Sequence, residues 1–347
     1  MSRLDRLAAS LTEPLLVTYG VNVRYLTGFQ SSNCALLLEP GAAAPTLYTD
    51  FRYAESARAV EGVTFVQTKR DVVGALAELL SGRRVAFEAN RISYAQYETL
   101  AGGGVELTPA RGLVERLRAV KDAQELAAIR RAAAISDAVY LALANEAFVG
   151  RTEADLAWWI ERTFHECGAE ALSFDSIVAS GLNGASPHAQ PGGNVIAAGT
   201  LVTVDIGCVV EGYCSDCTRT FATGELPGEL TDAYALVAEA QLDGLAAVRA
   251  GARGSDVDGA SRVAIEAAGL AEHYGHGLGH GVGLEVHEAP TMRLESEDTL
   301  EVGNVVSVEP GLYLPGAGGC RIEDLVVAEA GGCEILTQFT KDLVTVG

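Results

Sequence analysis

After Asp122 the apolar positions fall three and four residues apart. Leu126, Ile129, Ala133, Ser136, Val139 and Leu143 share one face, and Asp122 with Glu125 forms a D-x-x-E cap before them. That spacing predicts a long helix, with Gly150 as its stop. A second helix follows at once, capped by Thr152 and Asp155, running through Leu156, Ile160 and Phe164 and ending at Gly168. From Phe174 the period drops to two in SFDSIVASG, LVTVDIGCVV and YCSDCTRTFATG. It returns to helix over TDAYALVAEAQLDGLAAVRAG and SDVDGASRVAIEAAG, then to strand in VVSVEPGLYL and RIEDLVVAE. Before Val114–Arg118, strand-like runs (PLLVTYG, CALLLEP, PTLYTD, VTFVQT, RRVAFEA) alternate with helical ones such as DVVGALAELLSG. The expectation is an α/β domain over residues 1–117 and an α+β domain over 118–347.

Charge separates these two parts. Residues 1–117 carry twelve basic and twelve acidic side chains, so the whole net charge of −21 falls on the remainder. Nucleic acid would be repelled there, which excludes it as a partner. No run of about eighteen apolar residues occurs, and the charged start MSRLDRLAASLTEPLL lacks the apolar core of a secretory signal, so no membrane span and a cytoplasmic protein are expected. Seven cysteines, an odd number, suit reduced thiols; the Cys214–Cys217 C-x-x-C has no second pair to complete a zinc set.

Four carboxylates sit in strands that otherwise read as buried. If Glu211–Gly212 is a two-residue turn, Asp216 pairs with Gly207 and shares a sheet face with Asp205, which is flanked by Val204 and Ile206. With a turn centred near Gly316, Glu309 and Glu323 lie opposite each other beside Val308 and Ile322. Buried charges need partners. Arg219 and Arg321 are near in sequence, yet two cations do not balance four acids, whereas two divalent ions would. Oxygen-rich ligation with one imidazole suits Mn first, with Co or Zn as other options. The imidazole is expected from YGHGLGHGVGLEVHE (Tyr274–Glu288), where glycines permit close backbone approach.

These residues resemble, in order and spacing, the five metal ligands of the pita-bread metallopeptidases, the creatinase/aminopeptidase P/prolidase group: Asp205 in VTVDIG, Asp216 in SDCTRTF, His280 in GHGVGLEVHE, Glu309 in SVEPGLY and Glu323 in RIEDLV. Within the group the chain is most similar to Xaa-Pro dipeptidases (prolidases) and aminopeptidase P. The resemblance spans the chain, implying a creatinase-like N-terminal domain (1–117) and a pita-bread catalytic domain (118–347). It implies two divalent metal ions per subunit, a homodimer, and a small peptide substrate with proline in second position. His188 in SGLNGASPHAQPG and His287 in LEVHEAP match the family's two substrate-side histidines.

The roles so implied are these. Glu309, ligand and carboxylate together, moves a proton between the attacking water and the leaving nitrogen. His287 or His188 stabilises the oxyanion. Tyr213, His276, Arg293 and Arg321 are candidates for the substrate side of the site. His165 and His273, in helical segments, read as structural. Some prolidases place an arginine directly after the HE-x-P run; here the run is HEAPTM, with Thr291 in that place and Arg293 two residues on. That departure counts against capture of a dipeptide's free carboxylate unless Arg293 reaches it; the resemblance still makes hydrolysis of Xaa-Pro dipeptides the leading expectation, with trimming of longer Xaa-Pro peptides the alternative. A non-catalytic binding protein on the same fold would be expected to lack a ligand.

Overall fold

A computed structural model describes residues 2–347. The chain divides into two compact units, one up to Arg118 and one from Ala119. The first carries the strands Leu15–Val17 (β1), Cys34–Leu38 (β2), Thr46–Asp50 (β3), Thr64–Thr68 (β4), Arg84–Glu88 (β5) and Glu106–Ala110 (β6) in one sheet, ordered β4-β3-β2-β1-β5-β6. Its helices are Arg3–Ser10 (α1), Gly20–Thr27 (α2), Ala54–Arg58 (α3), Val72–Leu79 (α4) and Tyr94–Gly102 (α5), with Leu113–Ala119 (α6) leading out. Leu16, Leu37 and Val85 from the sheet pack with Leu76 and Leu100 from α4 and α5, an α/β core of the kind the alternating pattern predicts.

The second unit opens with Ala123–Leu143 (α7) and Glu153–Glu166 (α8), each started by a capping box, Asp122 with Glu125 and Thr152 with Asp155. Gly150 is not the stop of α7. The helix ends seven residues earlier, at Leu143, because the chain must turn to bury Phe148, whose ring lies 5.3 Å from that of Phe221. Ile160 and Phe164 of α8 and Val139 and Leu143 of α7 then cover Val202, Val204 and Ile206. Each such side chain contributes about 1.5–3 kcal/mol by leaving water.

The strands that follow are Ala171–Leu172 (β7), Ile177–Ser180 (β8), Leu201–Ile206 (β9), Cys208–Val210 (β10), Tyr213–Cys214 (β11) and Cys217–Ala222 (β12). Helices Gly228–Ala247 (α9) and Gly254–Ala267 (α10) come next. The chain closes with Gly279–Gly281 (β13), Glu288–Met292 (β14), Val305–Val308 (β15), Gly311–Leu314 (β16), Gly318–Arg321 (β17), Asp324–Glu329 (β18), Gly332–Ile335 (β19) and Val344–Thr345 (β20). The sheets are ordered β11-β10-β7, β20-β12-β9-β8, β14-β13-β15-β18-β19 and β16-β17.

Both acidic hairpins follow the register read from their turns. Val210 pairs with Tyr213 across Glu211–Gly212, whose φ values of 51° and 80° make a left-handed two-residue turn. The carboxylate of Glu170 accepts the two turn N–H groups at 2.8 and 3.1 Å. Ile206 pairs with Cys217 and Asp205 with Thr218, so Asp216 falls opposite Gly207 where the ladder pauses between two sheets. In the second hairpin Val308 pairs with Asp324 and Gly311 with Arg321, which sets Glu309 opposite Glu323, again at a pause. An acid at such a pause is released from regular pairing and can turn toward its counterpart.

Candidate metal centre

Glycines bring the histidine strand into place. Short β13 is squeezed between β14 and β15. A side chain at Gly279 would put its Cβ 2.0 Å from the Ser307 carbonyl oxygen, and one at Gly281 would stand 2.2 Å from that of Ala289. His280 between them aims its Nε2 at 3.2 Å from Glu309 Oε1 and 3.7 Å from Asp216 Oδ2, while its Nδ1 lies 3.2 Å from the Gly281 carbonyl. A proton on Nδ1 leaves Nε2 as the ligating atom.

Asp205, Asp216 and Glu323 each offer a carboxylate oxygen to a single point, all within 4.8 Å of one another and all buried. Asp205 Oδ2 accepts from Arg321 Nη2 at 2.6 Å, and Glu323 Oε2 accepts from Thr218 Oγ1 at 2.8 Å. Their other oxygens, Asp205 Oδ1 and Glu323 Oε1, are buried with no hydrogen-bond partner among the described residues. Glu309 Oε1 accepts from Ser307 Oγ at 3.0 Å, and the same hydroxyl receives the His280 N–H.

Protonation follows this crowding. Burial, then repulsion from Glu323, Asp205 and Glu309, pushes the Asp216 carboxyl well above the ordinary carboxylate range. Burial and repulsion from Glu309 and Asp205 do the same to Glu323, and burial outweighs Arg321 to raise Asp205. Glu309 goes the other way: burial opposes ionisation, yet the hydrogen bond and charge of His280 pull it down to about 2. The bond to Glu309 correspondingly raises His280 against the effect of burial. Four acids, one imidazole and two orphaned buried oxygens fit divalent cations, because such ions would satisfy both the charge and the open lone pairs.

The cluster opens into a cavity of about 460 Å³ lined by His188, His276, His287, Arg293, Phe174 and Val286 among others. His287 is exposed at the rim with its ring 4.2 Å from that of His280; partial burial and that neighbour hold its pKa below the ordinary value. His276 takes a Tyr313 hydroxyl at 2.9 Å on Nε2 and holds Gly277 O at 2.8 Å on Nδ1; burial lowers its pKa. Arg321 reaches Tyr313 Oη at 2.8 Å, so Asp205, Arg321, Tyr313 and His276 form one polar chain along the cavity wall.

Two sequence expectations do not meet here. Tyr213 is not drawn to the cavity: its hydroxyl donates to Glu125 Oε1 at 3.0 Å, since the hairpin tip packs on α7. Arg219 does not serve the cluster either. It faces the opposite side of β12 and pairs with Asp324 at 2.9 Å, alternation along a strand placing 218 and 219 on different faces. Thr218, Ser307 and Tyr313 were not singled out by the sequence. Period-two spacing could have found two of them: Thr218 stands opposite Asp205, and Tyr313 lies four residues on from Glu309.

The description "Metallopeptidase family M24" matches residues 127–330, and "Creatinase/Prolidase N-terminal domain" matches residues 3–120. The chain belongs to metallopeptidase family M24. As a family M24 member it is a hydrolase of peptide bonds, and the creatinase-type N-terminal domain with the mixed α/β catalytic domain is the architecture expected. An Xaa-Pro dipeptidase from Bacillus anthracis is 35% identical, with a TM-score of 0.93 over 99% of both chains. An X-Pro aminopeptidase from Thermotoga maritima MSB8 is 32% identical, with a TM-score of 0.89 over 99% of this chain and 100% of that one. The uncharacterized peptidase YqhT of Bacillus subtilis (strain 168) is 37% identical over 95% of each chain. Membership of family M24 implies use of a divalent metal, for which the buried acidic cluster is the fitting place. No helix among the described residues is long and apolar enough to cross a membrane.

Proposed function

We propose that this M24 peptidase hydrolyses the bond before proline in small peptides with proline second, Xaa-Pro dipeptides first among them. We assign two divalent ions, manganese leading, to Asp205, Asp216, His280, Glu309 and Glu323. The observation that carries this is the pair of orphaned buried oxygens, Asp205 Oδ1 and Glu323 Oε1, within a convergent acid cluster that opens on the histidine-lined cavity. Bound ions there would make water nucleophilic near neutral pH and polarise the scissile carbonyl.

The chain's own groups do the rest. As the C–N bond breaks the leaving nitrogen must gain a proton, and proline's, bonded to two ring carbons, departs as a secondary amine. Glu309 carries that proton from the attacking water, its Oε1 being held by the Ser307 hydroxyl. His287 and His188, both lining the cavity, donate to the oxyanion as the carbonyl becomes tetrahedral. Phe174, Ile177 and Val286 supply apolar wall for the proline ring. Trimming of the first residue from longer Xaa-Pro peptides is the second reading, favoured by the likeness to the X-Pro aminopeptidase of Thermotoga maritima and by Thr291 standing where some prolidases carry an arginine for the proline carboxylate. A homodimer acting in the cytoplasm belongs to the same proposal, resting on the family resemblance and on the reduced cysteines the composition suits.

Hydrolysis of Ala-Pro, Ala-Pro-Ala and Ala-Ala by the manganese-loaded enzyme, with metal content measured alongside, tests it. Ala-Pro should be cleaved and Ala-Ala spared. Asp216→Ala and His280→Ala should lose metal and activity together, and His287→Ala should lower turnover with metal retained. Equal metal loss in all three would refute the division of roles.

A further inference from the structure

Glu153, the first residue of α8, has its side chain completely buried and no part in the chemistry above. Its Oε1 accepts from Ser180 N at 2.7 Å, Ser180 Oγ at 2.9 Å and Asn194 Nδ2 at 2.9 Å; its Oε2 accepts from Asn183 Nδ2 at 2.8 Å. Each of these partners is a neutral donor. The dipole of α8, positive at its start, adds favourable potential for an anion there. Hydrogen bonds to the ionised form at this density can offset the cost of burying a lone carboxylate.

What these donors share is the loop that carries His188. Ser180 and Asn183 stand at its beginning and Asn194 at its end, so one carboxylate grips both ends of the segment 180–194. The backbone repeats the grip: Glu153 N donates to Asn194 O and Ala154 N to Gly192 O, both at 3.0 Å. Inside the loop Pro187 O accepts from Arg321 Nη1 at 3.3 Å, and His188 and Gln190 face the cavity. Among the described residues no hydrogen bond holds the His188 imidazole itself, so its place is set by the loop's backbone.

We propose that Glu153 is a positioning residue for His188, closing the loop 180–194 so that the imidazole is presented to the cavity. This rests on the reading of His188 as a group that meets the substrate. Gln at 153 would set an amide N–H₂ against donors on one side, so the closure would open although size is conserved.

The test is a kinetic double-mutant cycle on the manganese-loaded full chain with Ala-Pro, using Glu153→Gln, His188→Ala and the pair. Glu153→Gln should lower kcat/KM by roughly ten-fold or more with metal content unchanged, the scale expected when a reacting group is displaced by about an ångström. In the His188→Ala background the same change should alter kcat/KM less than about two-fold, because the group it positions is gone. Equal losses in both backgrounds would mean general structural damage and overturn the proposal, as would no loss in the parent. Should Glu153→Gln fail to fold, Asn194→Ala, which releases one end of the loop, enters the same cycle with the same two outcomes. A parent enzyme inactive on proline peptides would sink the functional reading instead. Amide hydrogen exchange then decides the tether alone: faster exchange confined to 180–194 in Glu153→Gln supports it, and unchanged exchange overturns it.

Discussion

Replacing Arg219 with Met should be among the most damaging single changes outside the cavity. The guanidinium is buried and spends its donors on both sides: Nη2 on Asp324 Oδ1 at 2.9 Å and Phe339 O at 2.7 Å, Nε on Phe339 O and Thr340 O at 3.1 and 3.0 Å. Nη1 serves Thr218 O at 3.0 Å and the carbonyl of Glu323. Methionine fills the volume and removes the charge, leaving Asp324 with Lys341, Gln241 and Thr337. Breaking a buried pair costs about 3–5 kcal/mol, and Lys341 keeps the expectation near the lower end of that range. In a unit of this size each kcal/mol lowers the melting temperature by roughly 2–4 °C, so a fall on the order of 6–15 °C is expected. Circular dichroism melting of the metal-loaded protein would read it. The pH dependence carries the sign. Burial favours neutral Asp324, but Arg219 and Lys341 outweigh it and hold its pKa below the ordinary value. The pair therefore stabilises above the unfolded pKa of about 4 and its contribution is lost as pH falls through the lower folded value. The gap between parent and variant should narrow in acid. A fall of under about 3 °C, or a gap constant down to pH 3, would refute the reasoning, and Asp324→Leu added to the variant should recover much of the loss.

Three further outcomes are expected. Chelating the divalent ions should lower the melting temperature more at pH 7 than at pH 5: the raised carboxyls of Asp205, Asp216 and Glu323 favour the metal-free fold only while protonated, a stability that is lost progressively as pH rises above the unfolded carboxyl value of about 4. Equal shifts at both pH values would count against a cation site. Tyr313→Phe removes the hydroxyl between Arg321 and His276 and should cost about 1–3 kcal/mol in urea unfolding; an unchanged midpoint would break the polar chain described above. Thr152→Ala should cost about 1 kcal/mol by uncapping α8, read as a small shift in thermal midpoint, and no shift would mean the cap is redundant.

The hairpins were legible because turn chemistry fixes register. Glu211–Gly212 and the glycines around 316 place each carboxylate by counting, and the structure keeps that count through each pause in the ladder. The helices after Asp122 and Thr152 were legible from caps and spacing. Gly150 misled because the burial of Phe148, a tertiary demand, ends α7 first. Tyr213 misled because a residue at a hairpin tip can fold onto a helix far along the chain, and nothing local says which. Glu153 was hidden for a related reason: within its own helix it reads as an ordinary acidic first-turn residue, and only the return of 180–194 reveals what it holds.

Each acid pair sits a set number of residues from its hairpin tip, on two arms that must stay in step. Lengthening one arm alone by a single residue would rotate its carboxylate to the far face, so length can vary freely only at a tip, as with the Pro315–Ala317 bend. Grafted tags or reporter loops should thus be tolerated at the exposed Pro315–Ala317 bend and ruinous a few residues inward, whereas the Glu211–Gly212 tip is tied down by Glu170 and α7.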